Sequence, residues 1–181
     1  ESCEPLRPYR GHSEMLVGLD LVRCGQCELV FADPMPSEEQ LSAYNSSYFD
    51  NAHGGLNMHP DALLFFSGIA LLRLDHVMSY CREQDKVSHE VLEVGPGHGY
   101  FYEHLRDLIP NCRYTALESD SRCHDRLREL GALVYEDFSQ LQENSYDLLV
   151  MSHVLEHSAK PDEFLRSAVS FLKPGGVVFI E

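Results

Sequence analysis

Apolar residues follow two different spacings along the chain, and together these spacings predict an α/β domain. Short apolar runs with the length of buried strands occur at 91–94, 112–118, 132–135, 146–151 and 177–180. Between these runs, apolar residues recur at helical spacing, as in the segment that begins at Tyr100. Strands that alternate with helices are typical of a parallel sheet with helices packed on its faces.

Further helices are predicted around this series. A long helical pattern covers 61–83, and shorter ones cover 120–130 and 161–172. Gly131 is the expected C-terminal stop of the second, and Asp120 or Ser121 is its expected cap. Lys173 begins a predicted tight turn over 173–176, before the last strand.

The first sixty residues have a different pattern. Residues 21–31 predict a strand, a C-x-x-C turn and a second strand. Ser37 is a predicted N-cap with Gln40 at the capping-box position, and it starts a short helix through Tyr44. Residues 45–60, rich in Asn, Ser, Gly and His, predict a loop. We therefore expect a small region over 1–60 and a main domain over 61–181.

The turn after the first strand is the strongest candidate for a ligand site. It consists of Glu93 and Val94, then Gly95, Pro96, Gly97, His98 and Gly99, and it leads into the helix at Tyr100. Glycines at the start of a helix allow the backbone to approach a ligand closely. The dinucleotide fingerprint requires its third glycine where Tyr100 stands, and the charge of Glu93 repels a diphosphate. An acid at this position suits a ligand that carries an ammonium group.

Net charge and apolar run length limit the possible partners. The 181 residues carry a formal net charge of −15, which argues against nucleic acid as a partner. The apolar stretch 62–74 is broken by Ser67, Gly68 and Arg73, so we expect no membrane span. The sequence starts at Glu1 without Met and stops in the fifth strand, so we expect a piece of a longer protein.

The six cysteines fall into two groups. Three lie singly in helical or strand segments and are expected to be ordinary thiols: Cys81, Cys112 and Cys123. No secreted disulfide framework is indicated, so we expect a cytoplasmic protein. Cys24 and Cys27 form a C-x-x-C turn in which both thiolates face one metal, and Cys3 is a third candidate ligand. The fourth is His12 or a Cys before Glu1; the alternative is a metal-free hairpin.

Four stretches of the main domain resemble the class I S-adenosylmethionine-dependent methyltransferases. They are the E-x-G-x-G-x-G turn from Glu93, the acid Glu118 at the end of the second strand, the S-H-V-L-E-H segment at 152–157, and L-K-P-G-G at 172–176. The resemblance implies a Rossmann-like, doubly wound sheet of seven strands. This chain is expected to lack the last two.

The resemblance also implies roles for individual residues toward the cofactor. Glu93 and the glycine turn, with Pro96 and Tyr100, hold the methionine end, while Glu118 accepts hydrogen bonds from the ribose hydroxyls. Asp137 and the amide of Phe138 meet the adenine. Ser152 and His153 lie beside the sulfonium. Tyr48 is either part of an aromatic lid over the cofactor or a ring packed on the core.

The segment from Arg23 through Leu41 resembles the N-terminal zinc-binding region of small-molecule methyltransferases, among them sugar C-methyltransferases. The implied function is transfer of a methyl group from S-adenosylmethionine to a carbon or oxygen of a small molecule. His153 is the first candidate for a base near the acceptor and His157 the second, with Glu156 orienting one of them. Two alternatives remain: a non-catalytic or truncated cofactor-binding or scaffold protein, and a nicotinamide oxidoreductase.

Overall fold

The computed structural model describes residues 3–8, 16–53, 59–86 and 89–181. The chain divides into two units, Glu1–Leu56 and Asn57–Glu181. The predicted metal ligand His12 lies outside the described residues.

The first unit contains a three-stranded antiparallel sheet in the order β1-β2-β3. Its strands are β1 (Cys3–Pro8), β2 (Asp20–Cys24) and β3 (Val30–Asp33). The strands on either side of the C-x-x-C turn were predicted, whereas β1 was not. All six residues of β1 are exposed, so this strand has no alternation of apolar and polar positions for a pattern to detect.

Two short helices follow in the same unit. Helix α1 (Glu38–Asn45) begins at the predicted cap, where Ser37 and Gln40 form both hydrogen bonds of a capping box. The loop predicted over 45–60 is wrong in part, because α2 (Tyr48–His53) is helical. Phe49 of this helix is buried, and the ring of Tyr48 makes edge contacts with Phe49 and Tyr44. This packing stabilises a helix that the polar composition of the segment does not predict.

The second unit is built on a five-stranded parallel sheet in the order β6-β5-β4-β7-β8. Its strands are β4 (Glu90–Val94), β5 (Arg113–Leu117), β6 (Leu133–Tyr135), β7 (Tyr146–Met151) and β8 (Leu172–Ile180). All five predicted strands are confirmed. The turn predicted at 173–176 is wrong, because these residues lie within β8 at a register shift. Lys173 Nζ donates to Asp147 Oδ1 at 2.7 Å, which holds this irregular start against β7.

Helices cover both faces of the sheet. They are α3 (Pro60–Glu83), α4 (Tyr100–Leu108), α5 (His124–Leu130) and α6 (Pro161–Val169). Alternate residues of β4 point to opposite faces. Leu92 and Val94 join a core with Ala168 of α6, while Tyr114, the partner of Val91 in β5, stacks on Tyr102 of α4.

The predicted ends of α5 are confirmed, and the predicted end of α6 is not. Asp120 caps a 3-10 turn, Ser121–Cys123, that leads into α5, and Gly131 ends the helix in the left-handed region. Helix α6 ends at Val169, three residues before the predicted end, because Leu172 already belongs to β8.

Helix α3 is long and apolar enough to cross a membrane when judged by length and composition alone. The sequence pattern predicted no such segment, because the polar residues within 62–74 were expected to interrupt it. Core helices of water-soluble domains meet the same criterion. Of the apolar window of α3, 17% is buried. The helix buries Ala70, Leu74, Val77 and Cys81 and packs against α4.

Candidate active site

The predicted ligand-binding residues of the second unit follow the carboxyl ends of its strands. Gly95 follows β4, Glu118 follows β5, Asp137 follows β6 and Ser152 follows β7. Glu181, which was not predicted as a site residue, follows β8. Because the strands are parallel, these ends meet at one edge of the sheet. The strand order reverses between β4 and β7, and open α/β sheets bind ligands at this switch point.

The glycine turn is held by backbone hydrogen bonds and by left-handed backbone conformations. Gly95 N–H donates to Leu117 O at 2.8 Å, and Gly99 N–H donates to Pro96 O at 2.9 Å. The φ angles are +67° at Gly95, +54° at Gly97 and +74° at Gly99. L-residues with a side chain rarely adopt such angles.

Two of these glycines are also required by protein packing. A Cβ on Gly95 would lie 2.6 Å from Val154 Cγ2, and a Cβ on Gly99 would lie 2.8 Å from Leu127 Cδ2. The sequence interpretation attributed the glycines to space for the cofactor. At Gly95 and Gly99 the space is limited by neighbouring side chains of the protein itself.

Glu93 is the buried acid of the site. Its exposed fraction is 5%, and its carboxylate accepts a hydrogen bond from the Tyr114 hydroxyl. Burial raises the pKa of Glu93 to about 7, against the lowering effects of that hydrogen bond and of the charge of Arg73. Tyr114 is itself stacked on Tyr102, with ring centroids 3.9 Å apart. Neither tyrosine was predicted as a site residue, since both look like ordinary core aromatics in the sequence.

Glu118 anchors the glycine turn to the end of β5. Its Oε2 accepts from Gly97 N–H at 2.9 Å, and its Oε1 accepts from Asp120 N–H at 2.8 Å. Burial raises the pKa of Glu118, while these two hydrogen bonds oppose the shift. Each carboxylate oxygen has a second acceptor position, so the group still has capacity for two ribose hydroxyls.

Two neighbours of Glu118 were not predicted as parts of the site. Asp120 is fully buried and forms a two-point ion pair with Arg122, with N–O distances of 2.8 and 2.5 Å. His124 is also buried, and its Nε2 lies 2.8 Å from Glu118 O. The available signal in the sequence was a His six residues after the acid that ends the second predicted strand.

Asp137 and Phe138, the predicted adenine contacts, follow β6. Asp137 caps the 3-10 turn Phe138–Gln140, and its Oδ1 accepts from Ser139 N–H at 2.8 Å. The hydrogen bond with Ser139 lowers the pKa of Asp137. The ring of Phe138 stacks on Phe171 at 5.4 Å and so belongs to the core. Their contact with adenine stays a prediction.

The segment after β7 brings the predicted catalytic residues together. His153 Nδ1 lies 3.3 Å from Glu156 Oε1, so Glu156 is placed beside the first candidate base. His153 is in the left-handed region with φ +54°, which is uncommon for a residue with a side chain. Burial lowers the pKa of the half-buried His157, which therefore stays neutral at pH 7.

Ser152 supplies a test of whether the site fits a polar ligand. Its Oγ is buried and has no hydrogen-bond partner among the described residues. A buried hydroxyl in this condition is costly unless a ligand or water pairs with it. The Ser152 hydroxyl and the buried carboxylates of Glu93 and Glu118 lie at the carboxyl ends of neighbouring strands. This set of polar groups fits a charged nucleoside.

In the first unit, Cys3 lies opposite Cys24 in the β1–β2 pairing, and Cys27 belongs to the turn that follows. Across the described ranges, no group of three or more His, Cys, Asp or Glu side chains is placed to hold a metal. The zinc-knuckle arrangement predicted for this region is therefore not shown. Tyr48 contacts Tyr44 and Phe49 within the first unit, and both of its predicted roles, lid over the cofactor and ring packed on the core domain, stay predictions.

The fold and this site define the chain as a methyltransferase-type α/β protein, and the comparison with known families agrees. Residues 66–181 match the family model described as "Methyltransferase domain". This match covers more than half of the chain, so the chain belongs to that methyltransferase family.

Curated relatives and solved structures support the same assignment. The ubiquinone biosynthesis O-methyltransferase of Hydrogenovibrio crunogenus is 28% identical over 116 residues, covering 60% of this chain and 47% of that protein. The enzyme of the same name from Xanthomonas oryzae pv. oryzae is 30% identical over 122 residues, covering 60% and 48%. The chain thus spans about half the length of the curated relatives it matches.

Two solved structures share the fold at low sequence identity. The plantazolicin methyltransferase BpumL in complex with SAH has a TM-score of 0.59 and 18% identity, covering 78% of this chain and 58% of that one. Coclaurine N-methyltransferase bound to N-methylheliamine and SAH has a TM-score of 0.51 and 22% identity, covering 61% and 35%. These likenesses confirm the Rossmann-like methyltransferase fold.

Proposed function

We propose that this protein binds S-adenosylmethionine at the carboxyl edge of β4, β5 and β7 and transfers its methyl group to a small-molecule acceptor. The observation that carries the proposal is the placement of two buried carboxylates, Glu93 and Glu118, on either side of the glycine turn. Glu93 suits the ammonium of the methionine end, and Glu118 suits the ribose. The family match and the relatives' names support the same reaction class.

A direct test compares two cofactors by calorimetry. At pH 8 we expect S-adenosylhomocysteine to bind and NAD to give no heat, because a diphosphate would meet the buried negative charge of Glu93 next to the turn. Uptake of NAD without uptake of S-adenosylhomocysteine would assign the site to a nicotinamide oxidoreductase. Binding of neither compound by a folded preparation would contradict a cofactor site altogether.

The bound cofactor supplies an activated methyl group, so the protein has to align the acceptor and, for a hydroxyl or acidic C–H, remove a proton. His153 and His157 are the candidate bases, with Glu156 at 3.3 Å from His153 to orient it. A neutral imidazole is required to accept the proton. His157 meets this requirement at neutral pH because burial lowers its pKa.

We expect replacement of the true base by Asn to reduce kcat about 10²- to 10⁴-fold at saturating cofactor. The acceptor would first be found by mass spectrometry of methylated products from a metabolite panel. If His157 is the base, the rate falls with decreasing pH only below the ordinary histidine value of 6.5, since its pKa is lowered. A full rate for His157→Asn together with a loss for His153→Asn assigns the role to His153.

We further propose that the methyl group goes to a carbon or an oxygen atom of the acceptor and that the acceptor is sugar-like. We also propose that the protein is cytoplasmic. The resemblance of 23–41 to small-molecule methyltransferases supports a small acceptor, and the net charge of −15 disfavours a polyanionic one. The name of the matched relatives, ubiquinone biosynthesis O-methyltransferase, favours oxygen.

We also infer a structural zinc ion held by Cys3, Cys24 and Cys27, with His12 or a Cys before Glu1 as the fourth ligand. The pairing of Cys3 opposite Cys24 supports it, since directly opposite residues have Cβ atoms about 5 Å apart. We expect elemental analysis to find one zinc per chain in protein purified without chelator, and less in Cys24→Ser. Cys112→Ser is the matched control. Zinc-free wild-type protein with unchanged stability would favour the metal-free hairpin.

A further inference from the structure

Four polar side chains form a continuous series beyond the carboxyl ends of β7 and β8: Glu156, His153, Glu181 and Arg73. Glu156 lies on one side of the His153 ring, at 3.3 Å from Nδ1. Glu181 lies on the other side, with Oε1 at 3.9 Å from Nε2. The second oxygen of Glu181 accepts a hydrogen bond from Arg73 Nε of α3. Neither Glu181 nor Arg73 was predicted to take part in the site.

The backbone reinforces the contact between His153 and Glu181. His153 N–H donates to Glu181 O at 2.9 Å, and Glu181 N–H donates to Met151 O at 3.0 Å. These bonds hold His153 at φ +54°, a conformation that is unfavourable for an L-residue. Such conformations persist where the surrounding structure enforces them, and they cluster at functional sites.

Arg73 is the better shielded end of the series. Its side chain is 19% exposed, compared with 42% for Glu181 and 63% for His153. The hydrogen bond from Arg73 lowers the pKa of Glu181, so this carboxylate is charged at neutral pH. The charge of Arg73 also opposes the burial-driven rise in the pKa of Glu93, which connects the series to the cofactor end of the site.

We propose that Glu181 is a positioning residue, which holds the imidazole of His153 toward the acceptor and is itself anchored by Arg73. Glu156 faces Nδ1 at 3.3 Å and Glu181 faces Nε2 at 3.9 Å, so the two carboxylates together bias the ring orientation and which nitrogen carries the single proton of the neutral imidazole. His157 is a further titratable group that interacts electrostatically with His153. The inference rests on the proposed function, because it assigns His153 to the acceptor side of that site.

The rival explanation is that Arg73 and Glu181 only tie α3 to the end of β8. Glu181→Gln separates the two explanations, because the amide oxygen still accepts from Arg73 while the charge facing His153 is removed. The matched control is Glu129→Gln, an exposed acid on α5 of the same unit. The readout is the pair of ring ¹⁵N resonances of His153 in histidine-labelled protein, assigned with His153→Asn.

We expect Glu181→Gln to shift both ring resonances of His153 and Glu129→Gln to leave them unchanged. Arg73→Gln should shift them in the same direction, and the double variant should add little to either single change, because the two residues act in series. Wild-type ring resonances in Glu181→Gln, with a shift in Glu156→Gln, would overturn the inference. These resonances are measured without cofactor. They therefore test whether Glu181 orients the His153 ring even if calorimetry shows no binding of S-adenosylhomocysteine and the proposed function fails.

Discussion

Glu93→Gln is expected to weaken binding of S-adenosylhomocysteine about a hundredfold at pH 8 and to stabilise the ligand-free protein at the same pH. The binding loss follows from removing a charged acceptor for the ammonium group, since hydrogen bonds to charged groups contribute about 1.5–3 kcal/mol. The gain in stability follows from removing a buried charge that only the ligand neutralises well.

The sign of the stability change follows from the pKa of Glu93, raised from 4.5 to about 7 by burial. Between these values the folded protein holds a proton that the unfolded chain has lost, so this carboxyl contributes most to stability at low pH. The contribution is lost as pH rises through 7, and the full loss is about 3 kcal/mol. Glutamine does not titrate, so the variant keeps its stability over this range.

Urea unfolding of both proteins at pH 5 and pH 8 measures the stability difference, and calorimetry at the same two pH values measures binding. The two proteins should bind more similarly at pH 5, where Glu93 of the wild type is mostly neutral. Glu129→Gln is the control for a general effect of removing one negative charge. If the free energy of unfolding changes with pH in the same way for wild type and Glu93→Gln, then Glu93 is already neutral, or its charge is well compensated, in the folded protein.

Gly99→Ala is expected to lower the free energy of unfolding by about 2–4 kcal/mol, because it combines an unfavourable φ with overpacking. Gly99 has φ +74°, and a Cβ would lie 2.8 Å from Leu127 Cδ2 and 3.0 Å from Leu130 Cδ1. The change therefore forces apart α4 and α5 at the point where the glycine turn enters α4.

Gly68→Ala is the matched control with the opposite expected sign. Gly68 lies inside α3, and a Cβ there would meet nothing within 4 Å. Alanine should stabilise the helix by about 1 kcal/mol. Urea unfolding measures both variants. Equal stability of Gly99→Ala and wild type would mean that the two leucines move aside freely and that the left-handed backbone at this position is not enforced.

Local patterns in the sequence were sufficient for most elements of the second unit. Residues 91–94 and 146–151 carry apolar runs whose length suits a buried strand, and both are strands in the structure. The cap at Ser37 and the stop at Gly131 are determined by residues within one turn of the helix end. The misassigned parts, β1, α2 and the start of β8, lack such local signals and depend on contacts with other segments.

Residues of the candidate site were predictable where their type and their position after a strand were enough to identify them. Glu93, Glu118 and His153 could be singled out because each stands at the carboxyl end of a predicted strand. The residues that pair with these side chains could not be identified from the sequence. Tyr114 follows Glu93 by 21 residues, and Glu181 follows Arg73 by 108. No periodicity spans such separations.

The sequence by itself determined the α/β class, the strand and helix order of the second unit and the acids next to the glycine turn, because these depend on residues close together in the chain. Only the tertiary structure decided that Tyr114 pairs with Glu93, that Val154 packs against Gly95, and that Glu181 connects Arg73 to His153. The physical reason is the strand order. By placing β4 between β5 and β7, with β8 next to β7, it brings residues that are far apart in the chain into contact.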